Sequence, residues 1–242
     1  MNQAQPAKTM RVDLHCHSEV SWDCITPLAL LPGRCQERGI TVQAVTDHNE
    51  IWGAQKLKAM VENGDSALID VQMDEEAGPL TIIVGEEIST SEGELIGLFL
   101  SQKIEPGLSP EETVQRIKEQ GGLVLLPHGF DPLKRWRLRS NARERIAASI
   151  DIVETFNTRV SRPRWNDQAA DWAKERGLLM SAGSDAHTLA DVGSAWVEAP
   201  AQPVNGPEDL LKVLAAGKPT GTWTQPALAF LYKMWDRLRR KL

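Results

Sequence analysis

The 242-residue chain lacks any apolar run near the ~20 residues that a bilayer-spanning helix requires, and its start, MNQAQPAKTMRVDLH, carries no apolar core of a secretory signal. A membrane span is therefore not expected, and the reading is a cytoplasmic protein. Cysteine is scarce. Cys16, Cys24 and Cys35 form an odd set crowded near the N-terminus, whereas a disulfide framework uses even numbers spread along the chain, so reduced thiols are expected. Positive charge is short as well: 27 Lys and Arg against 33 Asp and Glu leave a formal net charge of −6. That balance argues against stable duplex nucleic-acid binding, which depends on cations that displace condensed counterions. Internal repeats and low-complexity linkers are also missing.

What remains is ordinary globular composition, 41% hydrophobic and 25% charged. Short apolar runs recur at Met10–Leu14, Ile40–Thr46, Leu80–Val84, Glu94–Leu100, Leu123–Leu126, Ile150–Phe156 and Leu178–Ser181, with helical segments between them. Such alternation indicates repeated β-α units. Thr26-Pro27 and Ser109-Pro110 place a capping hydroxyl before a proline at a first helical position, and Glu112 completes a capping box with Ser109. Gly39, Gly121 and Gly177 fit as helix stops. Pro207–Ala216 reads as a further helix and Ala227–Leu242 as a final amphipathic one with a basic side, capping the barrel; Gly64–Pro79 is acidic and irregular, a surface excursion. One α/β barrel spanning residues 1–242 is the economical architecture, with its chemistry-bearing motifs between 12 and 197 and residues 198–242 as a C-terminal capping segment.

All five histidines fall at or just beyond the ends of the expected strands, beside acidic or small polar residues. In an α/β barrel those ends gather on one face. Residues two apart on a strand share a side, so His15 and His17 can present both imidazoles to one ion, as can Asp185 and His187. Asp47 is placed to orient His48. Of the adjacent Glu86 and Glu87 only one can face inward. Pro127-His128-Gly129 closes another strand. Any one of these is weak alone, but scattered structural histidines would not all meet strand ends and acids together.

Asp13-Leu14-His15-Cys16-His17-Ser18, Thr46-Asp47-His48-Asn49, Gly85 to Ser89, Leu126-Pro127-His128, Glu154-Thr155-Phe156-Asn157 and Gly183 to His187 resemble, in order, the motifs of the PHP (polymerase and histidinol phosphatase) family. The resemblance implies a distorted (β/α)7 barrel, with two or three Zn, Mn or Fe ions at the C-terminal ends of the strands, acting on phosphate esters. Carried over by motif, His15, His17, Glu87 and Asp185 would hold one ion, with Glu87 bridging to a second near His128. Asp23, His48 and His187 would hold a third. Glu154 or Asn157 is the open choice for the second ion's remaining ligand.

Such cations bring the pKa of a bound water toward ~7 and make it the nucleophile, with His128, His187 and Asp23 as neighbouring acid/base groups. Cys16, turned away from its histidine neighbours, is packing. Lys134-Arg135-Trp136-Arg137 is a basic stretch in an acidic chain, and Arg135 and Arg137 are the candidates for contact with phosphate oxygens, Trp136 for stacking on a ring. Trp22 would wall the pocket, while Trp165 and Trp172, seven apart on a helix, belong to the core. The expected activity is hydrolysis of a small phosphorylated metabolite, a nucleotide or a short oligonucleotide end. Histidinol-phosphate phosphatase is the narrower alternative, with Asp23 standing where many such enzymes place His. A non-catalytic metal-stabilised module and a carbon–nitrogen hydrolase are the alternatives of other classes.

Overall fold

A computed structural model describes residues 8–64 and 79–225. Most of the acidic excursion and the expected helix over Ala227–Leu242 lie outside the described residues. Among the described residues nine strands form one sheet: β1 (Thr9–Asp13), β2 (Val42–Val45), β3 (Thr81–Thr90), β4 (Gly93–Leu98), β5 (Leu123–Leu126), β6 (Ile152–Asn157), β7 (Leu179–Gly183), β8 (Ala195–Pro200) and β9 (Lys218–Gly221). Their order is β7-β6-β5-β4-β3-β2-β1-β8-β9. Six helices are described: α1 (Leu31–Glu37), α2 (Trp52–Glu62), α3 (Pro110–Glu119), α4 (Ser140–Ile146), α5 (Arg164–Arg176) and α6 (Pro207–Ala216).

The sheet curls into a nearly closed barrel. β1 uses its first residues, Thr9 to Val12, to pair antiparallel with β8, and the chain beyond it to meet β7. There Leu14 N donates to Ala182 O at 3.2 Å and Asp185 N to His15 O at 2.8 Å. Thus β8 and β9 wedge the lower half of the seam while the upper half closes directly. All seven apolar runs form strands, but the ring departs from a strict βα repeat. β3 and β4 are a hairpin, so β4 runs antiparallel to both β3 and β5. Only Ser91 and Glu92 separate them, too few for a crossover helix.

Strand alternation sorts the core into two layers. Val12, Val42, Ala44, Ile83, Ile96, Leu98, Leu123, Leu125 and Ile152 pack in one, the barrel interior. Val45, Val84, Leu95, Val124, Leu126 and Val153 pack in the other with helix residues such as Leu57, Ile117 and Trp172. Leu123 and Leu125 against Val124 and Leu126 show the period of two on one strand. Trp172 is buried as expected, whereas Trp165 is only half-buried.

Helix ends follow the local chemistry in most places. Ser109 and Glu112 make the reciprocal capping box on α3, and Gly177 ends α5 with φ 64°, a left-handed conformation that costs glycine little. Thr26-Pro27 differs: a short 3-10 turn precedes α1, and the Glu19 carboxylate rather than the Thr26 hydroxyl accepts from Leu28 N at 3.1 Å. No helix among the described residues is long and apolar enough to cross a membrane.

Candidate metal centre

Above the apolar interior, the C-terminal ends of the parallel strands, the loops that follow them and the start of antiparallel β4 bring Asp23, Glu87, Glu94, Asp185 and all five histidines together. β1 stops at Asp13, whose Oδ1 accepts from the backbone N–H of both His15 (3.2 Å) and Ser184 (3.0 Å). This local side-chain-to-backbone turn ends the strand and ties the His15–His17 segment to the Ser184–His187 segment. The His-x-His pair therefore sits just past the strand rather than in it. Gly183 makes the close approach possible, because a Cβ there would collide with the Glu154 carboxylate and with His15 Cβ. On β6 a bulge between Glu154 and Phe156 lets Glu154 and Asn157 share one face.

The backbone is strained where it serves the cluster. Asn49, His128 and Asp185 have φ of 53°, 27° and 50°, three of the four positive values among the described non-glycine residues. Such conformations cost on the order of 1–3 kcal/mol each and persist only where surrounding bonds impose them. Here Glu154 Oε2 accepts from His128 N at 2.7 Å, His15 O accepts from Asp185 N, and Asn49 Oδ1 accepts from Ser89 N at 2.8 Å.

The tautomers of the central histidines follow from their partners. Glu154 Oε1 lies 2.9 Å from His15 Nδ1, and an ionised carboxylate only accepts, so His15 carries its proton there and turns a lone pair outward at Nε2. Ser21 donates to Asp47 Oδ1 at 2.6 Å, so its oxygen accepts from His17 Nδ1–H at 3.2 Å and from His48 N at 3.0 Å. His187 Nδ1 donates to the backbone oxygen of Asp185 at 2.8 Å. The Nε2 atoms of His15 and His17 then face each other at 3.1 Å, with Glu87 Oε2 at 3.4 and 3.3 Å and Asp185 Oδ1 at 3.8 and 3.6 Å. His187 Nε2 lies 2.8 Å from Asp23 Oδ2, and His128 Nε2 lies 3.0 Å from Glu87 Oε1. Lone pairs and carboxylate oxygens aimed at common points repel unless a cation sits among them, so this donor set fits divalent metal. Four triads bring donor atoms within 4.8 Å of one another: His15/His17/Glu87, His15/His128/Asp185, His17/His48/His187 and His48/Glu87/Glu94.

Titration behaviour reflects the same crowding. Burial opposes charge on His17, but Asp185 and Glu87 outweigh it and hold the imidazole at about 9. Burial, reinforced by the charge of Glu87, pushes Glu94 up to about 10. Glu87 and Asp185 go the other way: burial opposes their charge, but His15 and His48 hold Glu87, and Lys134 and His15 hold Asp185, well below the usual carboxylate range. Burial and then the His17 charge lower His187 to about 4. Protons are taken up where the surplus of anionic oxygen is greatest, which is what a bound cation would otherwise offset.

A cleft of about 280 Å³ opens over the cluster, lined by Trp22, Asp23, His48, Glu87, Ser89, Glu94, His128, Lys134, Arg135, Trp136, Arg159, Asp185 and His187. Arg135 is in this lining and Arg137 is not. The other two cations of the lining are Arg159 and Lys134, the latter with its Nζ 2.5 Å from Asp185 Oδ2. Asp47 does not orient the His48 ring, since neighbouring side chains on an extended segment diverge. It accepts instead from Ser18 N (2.7 Å), Ser18 Oγ (2.6 Å) and Ser21 Oγ, and so acts on His17 through Ser21. Glu87 faces the cluster, whereas Glu86 lies on the opposite side and accepts from Ile104 N at 2.9 Å. Glu154 and Asn157 sit behind the cluster, Asn157 donating to Glu154 Oε2 and Asp185 Oδ2. Glu94, Lys134 and Arg159 are the residues that sequence reasoning passed over as site groups. Glu94 begins a strand two residues past a hairpin turn, and that position was its only signal. Cys16 is buried away from the cluster in the outer layer, and Cys16, Cys24 and Cys35 are all free thiols.

A family model described as PHP domain matches residues 13–157, and one described as PHP-associated matches residues 163–219. The chain is 34% identical over 204 residues to the "Uncharacterized protein MJ0417" of Methanocaldococcus jannaschii, covering 83% of this chain and 75% of that one. Its fold is similar to a two-domain protein from Bacteroides vulgatus described as containing a "predicted PHP-like metal-dependent phosphoesterase", with TM-score 0.63 and 16% identity over 89% of this chain and 66% of that one. It is also similar to the lesion-specific endonuclease of Pyrococcus furiosus, with TM-score 0.58 and 16% identity over 88% and 58%. At these identities the two structures share the barrel with this chain, and this chain spans two thirds or less of their length.

Proposed function

The chain belongs to the PHP domain family, and from that premise we propose that it hydrolyses phosphate esters of small metabolites, of nucleotides or of short oligonucleotide ends. The observation that carries this reading is the convergence of the His15 and His17 lone pairs with Glu87 and Asp185 beneath a cleft lined by Lys134, Arg135 and Arg159. Three cations at the mouth suit a polyanionic group such as a phosphoryl group better than a neutral amide.

In this reading His15, His17, Glu87 and Asp185 would hold one divalent ion, Glu87 and His128 a second, and Asp23, His48 and His187 a third, with Glu94 adjacent to it. When bound, Zn, Mn or Fe ions supply an acidified water and a sink for charge developing on the phosphoryl oxygens. The chain's own residues do the rest. Glu154, through His15 Nδ1, and the Asp47–Ser21 pair, through His17 Nδ1, keep the ring nitrogens in the tautomer that points lone pairs into the site. Lys134, Arg135 and Arg159 orient the ester by its non-bridging oxygens. The acid/base role toward the leaving oxygen falls to whichever of Asp23, His187 and His128 holds no ion; Asp23 and His187 pair on the cleft wall and His128 lies beside Glu87.

The test is one panel: metal content of the purified protein, then turnover of phosphate mono- and diesters with Zn, Mn and Fe after chelation. At least one ester class should be hydrolysed, with activity lost on chelation and restored by a metal. A protein that binds metal and keeps its fold yet turns over no ester with any of the three would be a structural metal module instead.

A further inference from the structure

The cleft has a wall that phosphate chemistry does not require. Five large hydrophobic side chains are exposed among the described residues: Trp22, Leu30, Trp52, Leu133 and Trp136. All stand on the segments that follow β1, β2 and β5, at the end of the barrel where the polar cluster lies. Exposed apolar area confined to one rim calls for a binding explanation, since scattered single residues would be spread over the surface.

Two of the five, Trp22 and Trp136, line the cleft beside Asp23, His48, Lys134 and Arg135. Trp22 is 81% exposed and stacks on the His48 ring at 6.2 Å between centroids and 27° between planes, which leaves its outer face to solvent. Trp136 is 52% exposed, and the Arg135 guanidinium lies over its ring at 4.9 Å. Indoles fixed on one side, open on the other and next to cations suit a flat ring joined to a negatively charged group. A sugar phosphate offers them only C–H edges and an alkyl phosphate no ring at all, whereas a base offers a full π face. The cleft, at about 280 Å³, is a pocket for one small ligand rather than a groove for a duplex.

We propose that Trp22 and Trp136 form a base-stacking subsite, and that the ester taken by this protein is a nucleoside phosphate, either free or at the end of a single strand. The proposal rests on the phosphoesterase reading above and narrows its substrate. Lys134, Arg135 and Arg159 receive the phosphate while the base lies on the indoles.

The experiment compares adenosine 5′-monophosphate with ribose 5-phosphate, which carries the same phosphate and sugar without a base, on the metal-loaded full chain. Wild type should prefer the nucleotide by about tenfold or more in kcat/KM, and W22A and W136A should each lower that preference about tenfold. Trp52 is outside the cleft lining, and W52A should not change the ratio. A wild-type ratio near one, an unchanged ratio in both cleft variants, or an equal fall in W52A would overturn the subsite. A 5′-phosphorylated tetranucleotide then separates the two sources, being preferred to the mononucleotide if a strand end is the substrate and disfavoured if a free nucleotide is. If neither simple ester is turned over, binding decides the subsite, and the phosphoesterase reading fails separately only if the whole panel of mono- and diesters is also blank. Quenching of tryptophan fluorescence by the nucleotide alone, weakened in W22A, would support it, and equal response to both ligands would overturn it.

Discussion

The two ends of the barrel are built from the same strands by opposite rules. Toward the N-terminal ends, Val12, Ala44, Ile83, Ile96, Leu125 and Ile152 fill the interior in regular alternation, with no polar group among them. A few residues further along the same strands, four carboxylates and five imidazoles are gathered in a buried or nearly buried cluster. Alternation there is broken by the Asp13 turn, the β6 bulge and three left-handed non-glycine residues. The lower end holds the fold together. The upper end spends part of that stability on holding like charges and lone pairs close, the division expected of an α/β barrel.

Substitutions can separate the two ends. The largest effect should come from His15→Ala, which removes a lone pair from two of the donor triads. It should lower kcat/KM on the preferred ester by on the order of 10³-fold while the thermal midpoint stays close to that of the metal-free wild type. A loss of folding instead would show that the upper end is structural. Next, Leu125→Ala in the interior should cost about 3 kcal/mol in urea unfolding, through lost burial and a residual cavity, with metal stoichiometry per folded molecule unchanged. If metal content fell with it, the two ends would not be separable.

The smallest effect concerns Glu86, next to Glu87 in sequence but on the other side of β3. Burial raises its carboxyl to about 7, against the usual 4.5. The native state therefore binds more protons than the unfolded chain between these values, and stability, complete below about 4.5, declines as pH rises toward 7 and then levels. Glu86→Gln should remove this decline, a gain on the order of 1–2 kcal/mol at pH 7.5 relative to wild type, read from urea midpoints at pH 5 and 7.5. An unchanged pH slope in the variant would assign the decline to other groups.

Much of this comparison was legible beforehand, residue by residue. The seven apolar runs are the strands because alternation and length are local properties, and the histidines mark strand ends because the residues around them do. Glu94 could not be read, because its meaning depends on a hairpin that turns β4 back beside Glu87. Lys134 rather than Arg137 faces Asp185 because of how one loop is threaded, and Asp47 reaches His17 only through Ser21, a partner from another segment. The direct closure of β1 on β7, with β8 and β9 wedged below, is a matter of pairing between residues more than 160 positions apart.

By itself the sequence determined the elements, the end of the barrel that carries the chemistry and the kinds of donor atom available there, since each is set by patterns a few residues long. Only the tertiary structure decided which nitrogen of each imidazole carries the proton, which acid stands behind and which in front, and which cation and which tryptophans line the cleft. Those choices rest on contacts at 3 to 5 Å between distant segments, and no local pattern encodes a distance of that kind.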